Sequence, residues 1–156
     1  LEITALIMVL VAASNFFGAV FARLGTPMLL TEFLLSLEMN KYLILAIVMG
    51  VIFLLGWPLE WVPIVMIIVP IILPLIEALG FNLTWFAILV DVNLQTAWLS
   101  PPVALSAYFL KGVVPEWDLK DIYLGMMQFM VLQVIGLIII IVFPISFLNW
   151  PISHFF

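Results

Sequence analysis

The sequence predicts an all-α membrane protein, a helical bundle that contains one re-entrant helical hairpin and one discontinuous transmembrane helix. Hydrophobic residues make up 67% of the 156 residues and charged residues only 8%, whereas soluble domains contain about 45–50% and about 25%. Residues 122–156 and 92–110 contain no formally charged side chain, and uncharged runs of this length are transmembrane candidates. Neither run has the period-two alternation of barrel strands, so we expect helices.

Charge and motif content argue against several classes of function. The net charge is −5 and the four basic residues form no stripe, so we expect no nucleic-acid partner. The chain has no cysteine, its single histidine is His154, and it carries neither a nucleophile motif nor a phosphate-binding glycine-rich loop. We therefore expect no catalytic residue and no cofactor. Since 156 residues hold fewer helices than an ordinary transporter and the chain begins with Leu1, we expect a fragment or one half of a repeat pair.

Residues 1–40 predict a membrane helix followed by a shorter helix. The first helix covers about residues 4–22, and its polar pair Ser14-Asn15 is interpreted as interhelical hydrogen bonding. Thr26 is the expected N-cap of the second helix and Pro27 its first helical residue. This second helix ends near residue 37 and is too short to span a bilayer, so we expect an interfacial arm.

Residues 41–79 predict the re-entrant hairpin. An apolar helix over 42–55 is interrupted by Gly56 and Pro58, and a second apolar stretch then continues to about residue 76. The first arm is shorter than the roughly 20 residues of a spanning helix, and the second is marginal. Irregular backbone facing lipid is not tolerated, so the turn at 56–60 must be buried or line a wet cavity. The prolines expected to kink the returning arm are Pro63, Pro70 and Pro74.

Residues 80–112 predict a discontinuous transmembrane helix. Pro101 and Pro102 cannot both lie inside a continuous helix, because they donate no backbone hydrogen bond and push the preceding residue out of the α region. The apolar sequence nevertheless resumes and continues to Leu110. Residues 113–156 then predict a polar loop and a final transmembrane helix over about 122–143, followed by an aromatic tail that suits a membrane interface. Two basic residues fall on each side of the membrane, which leaves the orientation open.

The two interruptions point to a transport site. Two broken apolar segments close together in sequence are typical of secondary transporters. Each break frees backbone carbonyls and exposes half-helix ends with partial charges. Carbonyl and hydroxyl oxygens suit a hard cation such as sodium, and half-helix N-termini suit an anionic substrate group. The polar residues just before the second break are Asn93, Gln95, Thr96 and Ser100, although interhelical hydrogen bonding is the alternative explanation for them.

Two acidic residues lie within the apolar sequence. Glu60 follows the first break, where an intramembrane carboxylate indicates a binding or gating role. It could instead cap the returning helix by accepting hydrogen bonds from its free amides. Asp91 precedes the second break and could either function there or pair with a residue outside this chain.

The residues around both breaks resemble the large membrane subunit of tripartite ATP-independent periplasmic (TRAP) transporters, especially the mannitol/chloroaromatic branch. The resemblance extends over nearly the whole chain and would place it in the C-terminal half of that subunit. The matching stretches are FLLGWPLEW at 53–61, ALGF at 78–81, WF at 85–86, VNLQT at 92–96, LSPP at 99–102 and YFLKGV at 108–113. The departures from the family pattern are Glu60 in place of Asp, Pro58 in the hairpin tip, Ser100 in place of Thr, and Ala104 where Gly is frequent.

The resemblance implies a sodium-coupled elevator transporter of the ion transporter superfamily type, in the bacterial inner membrane. The hairpin and the broken helix would move, whereas residues 1–40 would belong to the scaffold. A periplasmic substrate-binding protein would deliver an organic anion, and a small four-helix membrane subunit would complete the scaffold. Na⁺ would be the coupling ion.

The resemblance also assigns roles to individual residues. Sodium would be held by Gly56, Thr96 and Ser100, largely through backbone carbonyls. Substrate would lie near Glu60 and Asn93, with Gln95 and Pro101 as further substrate-binding candidates. The alternative is a membrane assembly subunit that keeps this fold without transporting, and a membrane-embedded enzyme is a third and weaker possibility.

Overall fold

The computed structural model describes residues 2–59, 61–100 and 104–143. Within these residues every regular element is helical and no strand occurs, as predicted. The α-helices are α1 (Glu2–Arg23), α2 (Thr26–Ser36), α3 (Lys41–Gly56), α4 (Trp61–Pro63), α5 (Val69–Ala78), α6 (Leu83–Gln95), α7 (Leu105–Val113) and α8 (Leu119–Val142). A π-helical turn at Ile64–Ile68 joins α4 to α5, and a 3-10 turn at Thr96–Trp98 follows α6.

Two helical stretches are long and apolar enough to cross a membrane. Trp61–Ala78 has 18 residues and α8 has 24, which correspond to about 27 Å and about 36 Å at the α-helical rise, against a hydrocarbon core of about 30 Å. Residues Ile7–Arg23 and Thr26–Ser36 would make a third span if taken together, but they are bent by 61°. α3 is apolar and has 16 residues. The chain is therefore part of an integral membrane protein.

The bend between α1 and α2 is made at Gly25. Its φ of 72° lies in the left-handed region, which glycine adopts without the steric cost that a side chain brings. Gly25 donates its N–H to the Ala22 carbonyl and accepts a hydrogen bond from Leu29. Gly25, and not Thr26, is the N-cap of α2. The N-cap prediction for Thr26 was wrong because the left-handed glycine lets α2 start one residue earlier.

The first of two compact units comprises Leu1–Val51 and Leu59–Leu83. In it α2 packs on α5, and α1 packs on α4 and the π-helical turn. Ser14 is buried in α1, and one helical turn later a Cβ built on Gly18 would lie 3.4 Å from the Met66 carbonyl oxygen. Pro70 has no N–H to donate to that carbonyl. The π-helical turn at Ile64–Ile68 lies between Pro63 and Pro70.

The second unit comprises Ile52–Pro58 and Thr84–Phe156. Its α7 packs on α8, and the buried cluster between them consists of Ala104, Ala107, Ile122 and Met126. Lys111 at the end of α7 donates through Nζ to the carbonyls of Pro115 and Trp117, which holds the connecting loop. Asp118 caps α8 by accepting a hydrogen bond from the Lys120 N–H at 3.4 Å.

The predicted interruption between 80 and 112 is present, because α6 ends at Gln95 and α7 begins at Leu105. The final helix begins at Leu119, three residues before its predicted start. The re-entrant geometry of residues 41–79, the interfacial position of α2 and the crossing of the membrane by α6 and α7 as one broken helix stay predictions. Pro144 and the aromatic tail lie outside the described residues.

Candidate functional site

Buried polar side chains collect where α6 ends. In the described part of the chain the buried polar side chains are Ser14, Asn93, Thr96 and Ser100, so three of the four lie within one stretch of eight residues. Asn93, Thr96 and Ser100 are each at most 2% exposed. Burying polar groups is costly unless they are hydrogen-bonded or bind a ligand. Their concentration here indicates a site and not a general feature of the helices.

The hydroxyl groups of this stretch bond to its own backbone. Thr96 Oγ1 donates to the Asn93 carbonyl at 2.6 Å, and Ser100 Oγ lies 3.4 Å from the Ala97 carbonyl. A hydroxyl has one hydrogen and two lone pairs. Because the Thr96 hydrogen is used in this bond, its oxygen can offer lone pairs to a cation.

Carbonyl oxygens are also released at this break. In a continuous helix the carbonyls of Ala97 and Trp98 would accept from the residues four positions later, which are Pro101 and Pro102. Neither proline has an N–H. The Thr96 carbonyl accepts from the Leu99 N–H at 3.1 Å in the tighter 3-10 geometry, and from the Ser100 N–H at 3.0 Å as in an α-helix. The local sequence therefore supplies carbonyl and hydroxyl oxygens without a charged group.

The first interruption meets the second within the same compact unit. Gly56, the last residue of α3, is buried, and a Cβ built on it would lie only 3.2 Å from the Ala97 Cβ. A side chain at this position would be closer to Ala97 than most Cβ contacts allow, so the close approach favours glycine. Both helix ends that meet here, those of α3 and α6, are C-terminal ends and carry partial negative charge. Such an arrangement favours a cation.

The structure thus brings Gly56 next to the Thr96–Ser100 stretch. The predicted sodium site needs these residues to lie close together. Sodium binding itself stays a prediction. Of the predicted substrate residues, Asn93 is buried inside α6, whereas Gln95 is exposed and accepts a hydrogen bond from the Gln133 side chain. Glu60 and Pro101 lie outside the described residues. Asp91 is exposed on α6.

Sequence reasoning missed three residues that shape this region. Ala97 is the small side chain that receives Gly56, and Gln133 is the partner of Gln95 from α8. Trp85 donates its indole N–H to the Ile140 carbonyl at 3.2 Å, which joins α6 to α8. The sequence does contain a signal for Gln133, because it is an amide side chain in an uncharged apolar run. Such a side chain usually has a hydrogen-bond partner in a neighbouring helix.

Comparison with known proteins places the chain among membrane transport proteins. Residues 1–146 match the family model described as "Tripartite ATP-independent periplasmic transporter, DctM component". The chain belongs to this family, that of the TRAP transporter large permease, which confirms the resemblance that its two breaks carry. No solved structure gives a significant match.

Several curated relatives are named as TRAP transporter large permeases. A Haemophilus influenzae protein named as a TRAP transporter large permease is 31% identical over 151 residues, covering 94% of this chain and 36% of the relative. The sialic acid TRAP transporter large permease SiaM of Vibrio cholerae is 25% identical, with 90% and 33% covered. The 2,3-diketo-L-gulonate large permease YiaN of Escherichia coli is 24% identical, with 96% and 35% covered. The chain therefore spans about a third of these relatives, which are permeases and not enzymes.

Proposed function

We propose that the permease containing this chain carries out sodium-coupled secondary uptake of an organic anion by an elevator mechanism. The observation that carries the proposal is the contact between Gly56 and Ala97, which places two helix C-termini and the buried Thr96 and Ser100 hydroxyls in one region. Neutral oxygens and partial negative charge suit Na⁺, which is a hard cation. The coupling ion would be held by Gly56, Thr96 and Ser100.

The proposed substrate class is carboxylates. Three relatives are named for sialic acid, 2,3-diketo-L-gulonate and C4-dicarboxylates, which all carry a carboxylate. A fourth is named for isethionate, whose anionic group is a sulfonate, so the carboxylate is the group that most of these anions share. An amide donates hydrogen bonds that a carboxylate can accept. We assign this role to Asn93 and Gln95, with Glu60 and Pro101 completing the substrate site as the sequence predicts.

The proposed assembly follows the family. A periplasmic substrate-binding protein would deliver the anion, and a small four-helix membrane subunit would complete the scaffold in the bacterial inner membrane. The hairpin 41–79 and the broken helix 80–112 would form part of the moving body. Residues 1–40 would belong to the scaffold.

The test is reconstitution of the full permease with its small subunit and its binding protein in liposomes. Uptake of sialic acid, 2,3-diketo-L-gulonate, succinate and further organic acids is measured with an inward sodium gradient and with an equal potassium gradient. We expect uptake of at least one acid only with sodium, and a large loss of that uptake in Glu60→Gln. Equal uptake in both gradients would contradict sodium coupling.

The same experiment addresses the alternative of an assembly subunit that does not transport. Such a subunit would still bind its small membrane partner, but no acid would be taken up with either cation. Sodium-dependent accumulation above the external concentration excludes this alternative, because only a coupled carrier can concentrate its substrate.

A further inference from the structure

Gln133 of α8 donates a hydrogen bond through Nε2 to Oε1 of Gln95. Gln95 is the last residue of α6 and directly precedes the buried Thr96. Gln133 lies in a helix that has no charged residue from Ile122 to its end at Val142. An amide in such a helix is costly unless it finds a partner. The partner it finds is a residue of the candidate site.

A second hydrogen bond joins the same two helices. The indole N–H of Trp85 donates to the Ile140 carbonyl at 3.2 Å, ten residues or about 15 Å along α6 from Gln95. α6 is therefore tied to α8 near both of its ends. The Trp85 bond holds the first end of α6 against α8. At the other end, the Gln133 bond orients the Gln95 amide.

The direction of the Gln133 bond determines what Gln95 can offer a ligand. The Gln133 bond uses one lone pair of Gln95 Oε1 and neither hydrogen of the Gln95 NH₂, so both of these donors stay available to a ligand. A carboxylate only accepts hydrogen bonds. The N–H donors that an organic anion needs are thus available on Gln95, whose side chain is exposed next to the break.

We propose that Gln133 is a positioning residue for substrate: it holds Gln95 so that its amide NH₂ faces the carboxylate. This role rests on the proposed function and on Gln95 as a substrate-binding residue. Gln133 does not itself need to touch the substrate. It would act through Gln95 alone, so replacing Gln133 should have no further effect on acid binding once Gln95 has been replaced.

The test uses the full permease with its small subunit, and replaces glutamine by methionine, which has a similar length but no amide. The variants are Gln133→Met, Gln95→Met, the double variant, and Gln128→Met as the control. Gln128 lies on the same helix and is exposed. Thermal stabilisation of each purified complex is titrated with the acid that gives the strongest sodium-dependent uptake, at saturating sodium and without binding protein. Sodium is titrated separately.

We expect Gln133→Met to raise the half-saturating acid concentration about three- to tenfold, the range of interhelical hydrogen bonds in membranes. Its half-saturating sodium concentration and its melting temperature without ligand should stay close to wild type. The double variant should bind the acid no more weakly than Gln95→Met, and Gln128→Met should match wild type.

Three results would overturn the positioning role. The first is unchanged acid binding in Gln133→Met. The second is a double variant whose loss is the product of the two single losses, because Gln133 would then act independently of Gln95. The third is an equal loss of sodium and acid binding, which indicates a structural role. Absence of sodium-dependent uptake by the wild-type complex would instead refute the proposed function, and this role with it.

Discussion

Gly56 at the end of α3 lies against Ala97 in the 3-10 turn after α6, so closely that a Cβ on Gly56 would be 3.2 Å from the Cβ of Ala97. Real Cβ atoms rarely approach each other so closely. The two interruptions of the sequence are thus joined by a contact between the two smallest residue types. The spacing between the carbonyl-bearing helix ends depends on the absence of one methyl group.

Gly56→Ala should therefore push the two breaks apart. We expect it to destabilise the full permease by about 1–3 kcal/mol, the usual range for overpacking, and to weaken sodium-dependent uptake. Ala97→Gly in the same chain removes the opposing methyl group and should restore most of both. The measurements are the apparent melting temperature in detergent and the initial rate of uptake.

Gly50→Ala is the matched control for that pair. Gly50 lies in the same helix, and a Cβ built on it meets no atom of the described residues within 4 Å, apart from its chain neighbours and its own helix backbone. Its replacement should be neutral or slightly stabilising, because alanine favours helix more than glycine does. If Gly50→Ala and Gly56→Ala behave alike, or if Ala97→Gly fails to rescue, the close contact is not what limits the site.

Ala104 should tolerate glycine unusually well for a buried residue. Its φ of 22° and ψ of 60° lie outside the regions that alanine favours, and a left-handed conformation costs a non-glycine residue about 1–2 kcal/mol. Relief of this strain should offset the lost contacts of the methyl group, so Ala104→Gly should leave the free energy of unfolding within about 1 kcal/mol of wild type.

Ala107 provides the comparison for Ala104. It is equally buried, belongs to the same cluster and lies inside α7, where glycine costs about 1 kcal/mol in helix propensity before any loss of packing. Ala107→Gly should therefore lower the melting temperature clearly more than Ala104→Gly. The reverse order would show that the backbone at Ala104 is not strained.

Trp85 should stabilise the end of α8 through its indole N–H. In a continuing helix the Ile140 carbonyl would accept from residue 144, but that residue is Pro144 and has no N–H. Trp85 supplies the missing donor at 3.2 Å. Trp85→Phe should cost at least about 1 kcal/mol, the net value of such a bond, measured as the melting temperature of the full permease.

Trp117→Phe is the control for Trp85, since Trp117 is 55% exposed and surface substitutions usually change stability by less than about 0.5 kcal/mol. Equal shifts for the two variants would contradict a specific role for the Trp85 bond. A larger shift for Trp85→Phe supports it.

The sequence predicted those parts of the molecule that depend on local chemistry. Low charge and high hydrophobicity place the chain in lipid, where only helices and closed barrels satisfy the backbone, and the lack of period-two alternation favours helices. All described regular elements are helical. Pro101-Pro102 predicted the end of α6, because a residue without an N–H cannot continue a helix. Asn93, Thr96 and Ser100 could also be recognised in the sequence, because polar side chains are unusual in an apolar run.

The parts that the sequence did not predict depend on tertiary contacts. The local pattern marks Gly56 as an interruption close to Pro58, but it does not predict that Gly56 lies against Ala97. Gln133 and Gln95 are 38 residues apart, and only the packing of α6 near α8 brings them together. The left-handed Gly25 displaced the expected cap at Thr26, because a glycine before a good cap residue can take over its position.

The most direct test of the sodium site is cation-specific stabilisation of the purified full permease. A ligand that binds only the folded state raises its stability with concentration. The melting temperature is measured across a sodium series at constant ionic strength balanced with potassium, for wild type, Thr96→Ser and Thr96→Val. Thr96→Ser keeps the hydroxyl that donates to the Asn93 carbonyl at 2.6 Å, whereas Thr96→Val removes it at nearly equal volume. We predict a sodium-specific rise for wild type and Thr96→Ser, and a much smaller rise for Thr96→Val. A wild-type melting temperature that does not distinguish sodium from potassium would contradict a sodium site where the two breaks meet.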